Sequence, residues 1–260
     1  MARRTDLFPT VTTDGGLLTS EVLARVAGGD RTLPGLRPED YHLAPSERLG
    51  EMINRSWNRL VGAWTGFSEA LSRQPQGEAA TGLTRERWLL VLFSELGYGR
   101  LQVAELITIN DVTYPVSHTW AGVPIHLVGA RVDLDRRTAG VAGAARRSPH
   151  SLVQELLNRS PERLWGIVGN GFKLRLLRDN ASLTRQAFVE FDIAAMMNGE
   201  VYADFALLWL VFHESRFAGD PGECWLERWM GEADVRGTRA LDHLRGAVQE
   251  AIVALGSGFL

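Results

Sequence analysis

The chain contains a single lysine, Lys173, inside the stretch ERLWGIVGNGFKLRLLRDN at residues 162–180. Every other basic residue of the Lys/Arg kind is arginine. A lone ammonium matters chemically, because lysine is a compact cation whose pKa shifts readily, whereas arginine stays protonated and presents a planar fork. Two roles are open to Lys173: a catalytic cation, or a solvent-facing or phosphate-facing residue on a hairpin. Asp133 and Asp135 lie two apart in a segment that reads as extended, which puts both side chains on one side. The pair could hold a divalent cation with Asp111 or Glu95, or could pair with Arg131 or Arg136. Arg136, Arg137, Arg146 and Arg147 frame a Gly/Ala-rich loop, and Arg175, Arg178 and Arg185 follow Asn170-Gly171. Gathered on one face, these arginines would contact phosphates without reading sequence; scattered, they are solvated side chains.

Other reactive types are sparse. His118 and His126 flank the TWAGVP turn, and no third ligand is spaced to join them. The one cysteine, Cys224, excludes an intramolecular disulfide and a clustered-cysteine zinc site. Its simplest reading is a small, half-buried residue beside Trp225.

The elements that must position these residues follow from periodicity. A short helix over 18–28 is expected to start at Thr19 or Ser20. From Ser46, apolar residues recur at steps of three and four through Leu71, which predicts a long amphipathic helix. LTRERWLLVLFSELGYG (83–99) reads as a second, buried helix with Thr84 as N-cap and Gly97 as its stop. LQVAELITI (101–109), VTYPVSH (112–118) and VPIHLVGARVDLD (123–135) carry strand signals, and 136–147 is a basic loop. Ser148-Pro149 marks a helix start. Trp165–Val168 and Phe172–Leu176 read as strands joined by a type I′ turn at Asn170-Gly171. QAFVEFDI (186–193) is a further strand, and helices fill 201–217, 224–235 and 238–256. Trp57, Trp64 and Trp88 fall at core spacing, while Trp225 and Trp229 brace the tail or meet a partner.

This order predicts an α/β (α+β) chain: a mixed sheet flanked by helices, with a helical C-terminal extension. The expected division is a loop-rich arm at 1–45, the α/β domain at 46–195 and the extension at 196–260. The 260 residues, 45% apolar and 23% charged, suit a soluble globular protein, and a net charge of −3 argues against a general nucleic-acid coat. The arginines of MARRTDLFPT have no apolar run behind them, so no signal peptide is expected, and FALLWLVF (205–212) is too short to span a bilayer. A cytoplasmic location without membrane partners is expected.

RWLLVLFSELGYG, SPHSLVQELLNRSPERLWGIVGNGFKLRLLRD, AFVEFDI and YADFALLWLVFHESRF resemble the N-terminal region of large bacterial restriction-modification methylases. These are the Eco57I-like, type IIG adenine methylases, including those of phage-defence systems such as DISARM and BREX. The resemblance covers most of residues 84–260, and WGIVGNG followed by a basic alternating strand is its most specific part. It implies a PD-(D/E)xK nuclease-like fold here, with the S-adenosylmethionine-dependent DNA methyltransferase module further along a longer chain. No N-P-P-Y-type tetrapeptide and no Gly-rich cofactor loop occurs in these residues. The resemblance therefore makes this chain an N-terminal piece or stand-alone relative that binds no cofactor of its own.

In such nucleases carboxylates hold Mg²⁺ and a lysine, two residues after an acid on the central strand, positions water and offsets charge. The matching strand, VPIHLVGARVDLDRR, offers Asp133 and Asp135 with arginines only, and Gln154 matches a glutamine that orients water or DNA. The resulting expectation is a degenerate, non-catalytic DNA-binding or scaffold domain. Its partners would be double-stranded DNA and a methylase module or other defence-system subunits. Two alternatives stand beside it: a Mg²⁺-dependent endonuclease using Asp133, Asp135, Lys173 and Gln154, and a partner-docking module built on the helices of 201–256.

Overall fold

The computed structural model describes residues 3–4, 7–179, 187–218, 220 and 222–232. Arg185 and the helix expected at 238–256 lie outside the described residues. An eight-stranded mixed sheet forms the frame, in the order β1-β2-β10-β9-β8-β7-β6-β3. The strands are β1 (Arg3–Arg4), β2 (Val11–Asp14), β3 (Gln102–Val103), β6 (His118–Trp120), β7 (Val123–Leu127), β8 (Trp165–Gly169), β9 (Lys173–Arg178) and β10 (Phe188–Asp192). Among the described residues only β7 and β8 pair in parallel, and the other neighbours are antiparallel. A separate hairpin joins β4 (Ile107–Ile109) to β5 (Val112–Tyr114) through Asn110 and Asp111, at φ 48° and 61°. Positive φ at both central residues is the type I′ solution.

One face of the sheet is covered by α1 (Ser20–Ala27), α2 (Leu49–Ser72), α3 (81–95), α5 (Ile193–Asn198) and α6 (Tyr202–Phe212). The other carries the helix α4 (Pro149–Arg159) and the loop 128–147. The period of two sorts side chains between these layers. Ile167, Leu174, Leu176, Val189 and Phe191 join the large helical core, while Val168, Leu177 and Phe188 meet Leu152, Val153 and Leu156 of α4. Lys173, Arg175 and Glu190 therefore lie on the α4 side.

Local signals hold where their chemistry is local. Thr19 Oγ1 caps α1 by accepting from Val22 N, and Ser148 Oγ caps α4 from Ser151 N at 3.1 Å. Four expectations are corrected. Thr84 is no N-cap: α3 starts at Thr81, and Thr84 Oγ1 donates to Ala80 O and accepts from Ala130 N. The strand expected over 123–135 ends at Leu127, because Gly129 passes so close to Ala79 that a Cβ there would lie 1.8 Å from its carbonyl oxygen. The strand expected over 101–109 divides between two sheets. The Asn170-Gly171 turn is not type I′. Gly171 has φ +86° but Asn170 is not in the left-handed region. Instead Asn170 Oδ1 accepts from the amides of Phe172 and Lys173, and its Nδ2 donates to Val132 O.

Residues 1–45 and 196–218 are parts of the same core as 46–195, not an arm and an extension. β2 pairs with β10 along four residues, and Val22, Leu23, Phe205 and Leu208 are buried in the main cluster. α6 is buried almost all round, so it presents no docking face. Residues 225–232 form a helix that closes over the N-terminal loop. Trp229 Nε1 donates to Pro34 O, and Arg216, fully buried, stacks on Tyr41 at 3.7 Å and donates to Gly35 O and Asp40 O. Among the described residues no helix is long and apolar enough to cross a membrane.

Gly171 ties the β8–β9 turn to α3: its carbonyl accepts from Trp88 Nε1 at 2.9 Å, and an added Cβ would lie 2.6 Å from Thr84 Cγ2. Gly171→Ala should therefore destabilise the fold by about 2 kcal/mol or more, from positive φ and the clash together. Urea unfolding checks this, and an unchanged midpoint would contradict it.

Candidate functional site

The polar residues of β9 and β10 meet on the α4 side of the sheet. Arg175 and Glu190 are direct cross-strand partners. The Arg175 side chain is 3% exposed, yet it carries a full charge, so the layer above must supply anions. Glu190 Oε2 accepts from Arg175 Nε at 2.9 Å and Nη2 at 2.5 Å. Asp135 grips the other edge with both oxygens, at 2.7 Å to Nη1 and 3.1 Å to Nη2. His150, in the first turn of α4, accepts from Arg175 Nη1 through Nδ1 at 2.8 Å. Arg175 can only donate, so the His150 proton sits on Nε2. The Phe188 ring covers the guanidinium at 4.3 Å.

Lys173 completes the cluster. It sits opposite Asp192 in the register, but its Nζ reaches diagonally to Glu190 Oε1 at 2.8 Å. Two cations and two carboxylates thus balance, with Glu190 shared between Lys173 and Arg175. The Arg175 fork holds the Asp135 carboxyl below its ordinary range, despite the opposing effect of burial. Burial pulls the Arg175 guanidinium down, but the Asp135 hydrogen bond and the charges of Glu190 and Asp135 outweigh it and leave it raised. Burial, then the Arg175 charge, pushes His150 down to about 4.

The sequence pair Asp133/Asp135 does not act as a pair. Both residues lie in the loop beyond β7, where the chain has left the sheet. Asp133 Oδ1 accepts from the Asp135 amide, and Asp133 reaches Arg136 at 3.8 Å. Glu95 pairs with Arg59, and Asp111 occupies the β4–β5 turn. Among the described residues no group of three or more His, Cys, Asp or Glu side chains is arranged to hold a metal. A Mg²⁺ ion does not fit the donors present: both oxygens of Asp135 and both of Glu190 are committed to Arg175 and Lys173. Gln154 is also diverted. Its Nε2 donates to Arg178 O and Asn158 Oδ1, tying α4 to the end of β9.

The arginines separate into two groups. Arg175 is buried, and Arg178 is bound by Glu227 through Nε at 2.8 Å and Nη2 at 2.9 Å, so neither offers a free surface cation. Arg136, Arg137 and Arg146 are exposed on the loop following Asp135. Arg147 lies between the groups, pairing with Glu155 at 2.7 Å and stacking on Tyr114. His118 and His126 are structural: Nδ1 of His118 meets Ser117 Oγ, and Nε2 of His126 donates to Gly143 O at 3.0 Å. The Cys224 thiol is buried and donates to Arg216 O.

Glu190 and His150 were not among the sequence candidates. The signal for Glu190 was present as an acid at an alternating position in the apolar strand FVEFD, matching the basic residues of KLRLLR. Nothing in the sequence joins His150 to them.

Two outcomes follow. Arg175→Met leaves buried Glu190 beside only one cation and should cost about 3–5 kcal/mol, roughly half of it recovered by adding Glu190→Leu. Chemical denaturation of the three proteins measures this, and additive losses would contradict it. Burial also holds His118 and His126 at about 4 and His213 at about 3. Each folded-state value lies below the ordinary 6.5, so the unfolded chain takes up protons that the folded chain refuses between pH 6.5 and 4. Stability should fall as pH drops through that window, by on the order of 1.4 kcal/mol per pH unit for each imidazole. A urea midpoint unchanged between pH 7 and 4.5 would contradict it.

No family model, no curated protein and no solved structure matches this chain.

Proposed function

We propose that this chain is a non-catalytic, nuclease-like DNA-engaging domain that braces the methylase module of a restriction-modification, phage-defence methyltransferase. The observation that carries the reading is the clasp of Asp135 and Glu190 on Arg175, set beside a loop of exposed arginines. A PD-(D/E)xK-like active centre needs acids free to hold a cation and an ammonium free to position water. Here a guanidinium fills the space between the two acids, and Lys173 is neutralised by Glu190. The chemistry that remains is charge presentation. Arg136, Arg137 and Arg146 face solvent on a loop whose base is fixed through Asp135, the geometry of a backbone contact that carries no sequence information. A Mg²⁺-dependent endonuclease would require Arg175 to leave the carboxylates.

Two assays test the reading. Plasmid nicking with Mg²⁺ or Mn²⁺ should show no cleavage above a chain carrying Asp135→Ala or Lys173→Ala; cleavage lost in both variants would overturn it. Binding of random duplex should weaken as salt rises, and the triple variant Arg136→Ala/Arg137→Ala/Arg146→Ala should reduce the slope of log K against log salt by about 2–3. An affinity indifferent to salt would remove the phosphate contact.

A further inference from the structure

Behind the arginine loop lies a hollow whose apolar walls the duplex contact does not use. A cavity of about 330 Å³ opens between the end of β5, the segment 142–147 and α4. Pro115, Ala142, Ala145 and Leu152 form apolar walls, and Arg146 and Arg147 stand at its edge. A broader, open groove shares Ala145 and Arg147 with it and adds Arg136, Arg137, Ser148 and Ser151. Two acids also line that groove, and both are neutralised, Glu155 in part by Arg147 of the groove itself. Asp135 is held by Arg175, and Glu155 by Arg147 at 2.7 Å, Arg159 at 3.1 Å and the Tyr114 hydroxyl at 3.0 Å. Arg137 and Arg146 remain as surplus positive charge around an apolar hollow, with Arg136 beside them paired to Asp133 at 3.8 Å.

The cavity is preformed. Thr138 N donates to Ala144 O at 2.9 Å and Ala144 N to Val141 O at 3.0 Å, so the loop closes on itself. His126 pins it from below through Gly143 O, and the ring lies so close that a Cβ on Gly143 would come within 2.4 Å. A ligand entering it meets walls that are already in place, which reduces the ordering cost of binding.

We propose that this cavity and groove together bind one nucleotide unit, the base between Pro115, Ala142, Ala145 and Leu152 and the phosphate on Arg146 and its neighbours. The volume is at the lower end of small-ligand sites, which suits a single base with its sugar. A guanidinium at the cavity edge, with others along the adjoining groove, suits a phosphate, which takes bidentate forks on more than one edge. The same unit occurs as a free nucleotide and as an unpaired residue of a DNA strand. The inference goes beyond the duplex contact proposed above, and its test separates the two.

Isothermal titration with dAMP, adenosine and octanoate, and anisotropy with a fully paired duplex and one carrying a single-base bulge, provide the readouts. Wild type should bind dAMP at least about tenfold more tightly than adenosine, and should not bind octanoate. Ala142 is exposed at the cavity wall. Ala142→Phe should fill the cavity and weaken dAMP and bulged-duplex binding about tenfold or more, leaving paired-duplex binding and the urea midpoint unchanged. Arg146→Ala should weaken dAMP about tenfold, the loss of one charge-assisted hydrogen bond. Tighter binding of the bulged than of the paired duplex, lost in Ala142→Phe, would assign the unit to a strand, and dAMP binding with the two duplexes bound alike would assign it to a free nucleotide. The proposal is overturned if wild type binds neither, if both variants leave binding unchanged, or if octanoate binds in place of dAMP. Loss of paired-duplex binding with dAMP binding retained would instead sink only the duplex reading.

Discussion

A guanidinium taken out of water must be paid for with anions, and Arg175 organises this protein around that requirement. One carboxylate on the adjacent strand does not satisfy five donors. Glu190 takes one edge, Asp135 the other, and His150 supplies a neutral acceptor at the remaining position. Each comes from a different segment: β10, the loop after β7, and the first turn of α4. The clasp thus fixes the β9–β10 register, the course of the 128–147 loop and the seat of α4 at once. Breaking any of these contacts leaves a buried charge short of a partner, which costs far more than the intact pair contributes.

The rest of the molecule supports this arrangement from both sides. On the helical face, Trp88 bonds the Gly171 carbonyl and stands among Trp64 and Phe67, so the β8–β9 turn is held by an aromatic layer before β9 begins. On the α4 face, Asn170 reaches Val132 O, and Gln154 reaches Arg178 O. The loop that delivers Asp135 is therefore anchored at its start by Asn170, at Asp135 by Arg175 and further on by His126. What it leaves in solvent are the arginines without such duties.

What the sequence disclosed follows the range of the forces involved. Ser148-Pro149 announces α4 because a cap is satisfied within four residues. The alternation of KLRLLR and FVEFD shows strands with one polar face. The end of β7 was hidden, since it depends on Gly129 meeting Ala79, fifty residues away. Asp133 and Asp135 looked like a strand pair only while that strand was read as continuous. The decisive contact, Arg175 to Asp135 across 40 residues, has no local signature. Nor did Lys173 reveal that its counterion would be Glu190. The sequence thus displayed the ingredients of a charged site, but not the contacts that close it to metal.

The account stands on the statement that Arg175 occupies the place a divalent cation would need. Titration with Mn²⁺, followed by the loss of free-ion electron paramagnetic resonance signal, tests it directly. The intact protein should bind no Mn²⁺ more tightly than about 1 mM, and Arg175→Ala should gain a site that Glu190→Gln abolishes. Micromolar Mn²⁺ binding by the intact protein, lost in Asp135→Asn, would contradict the account.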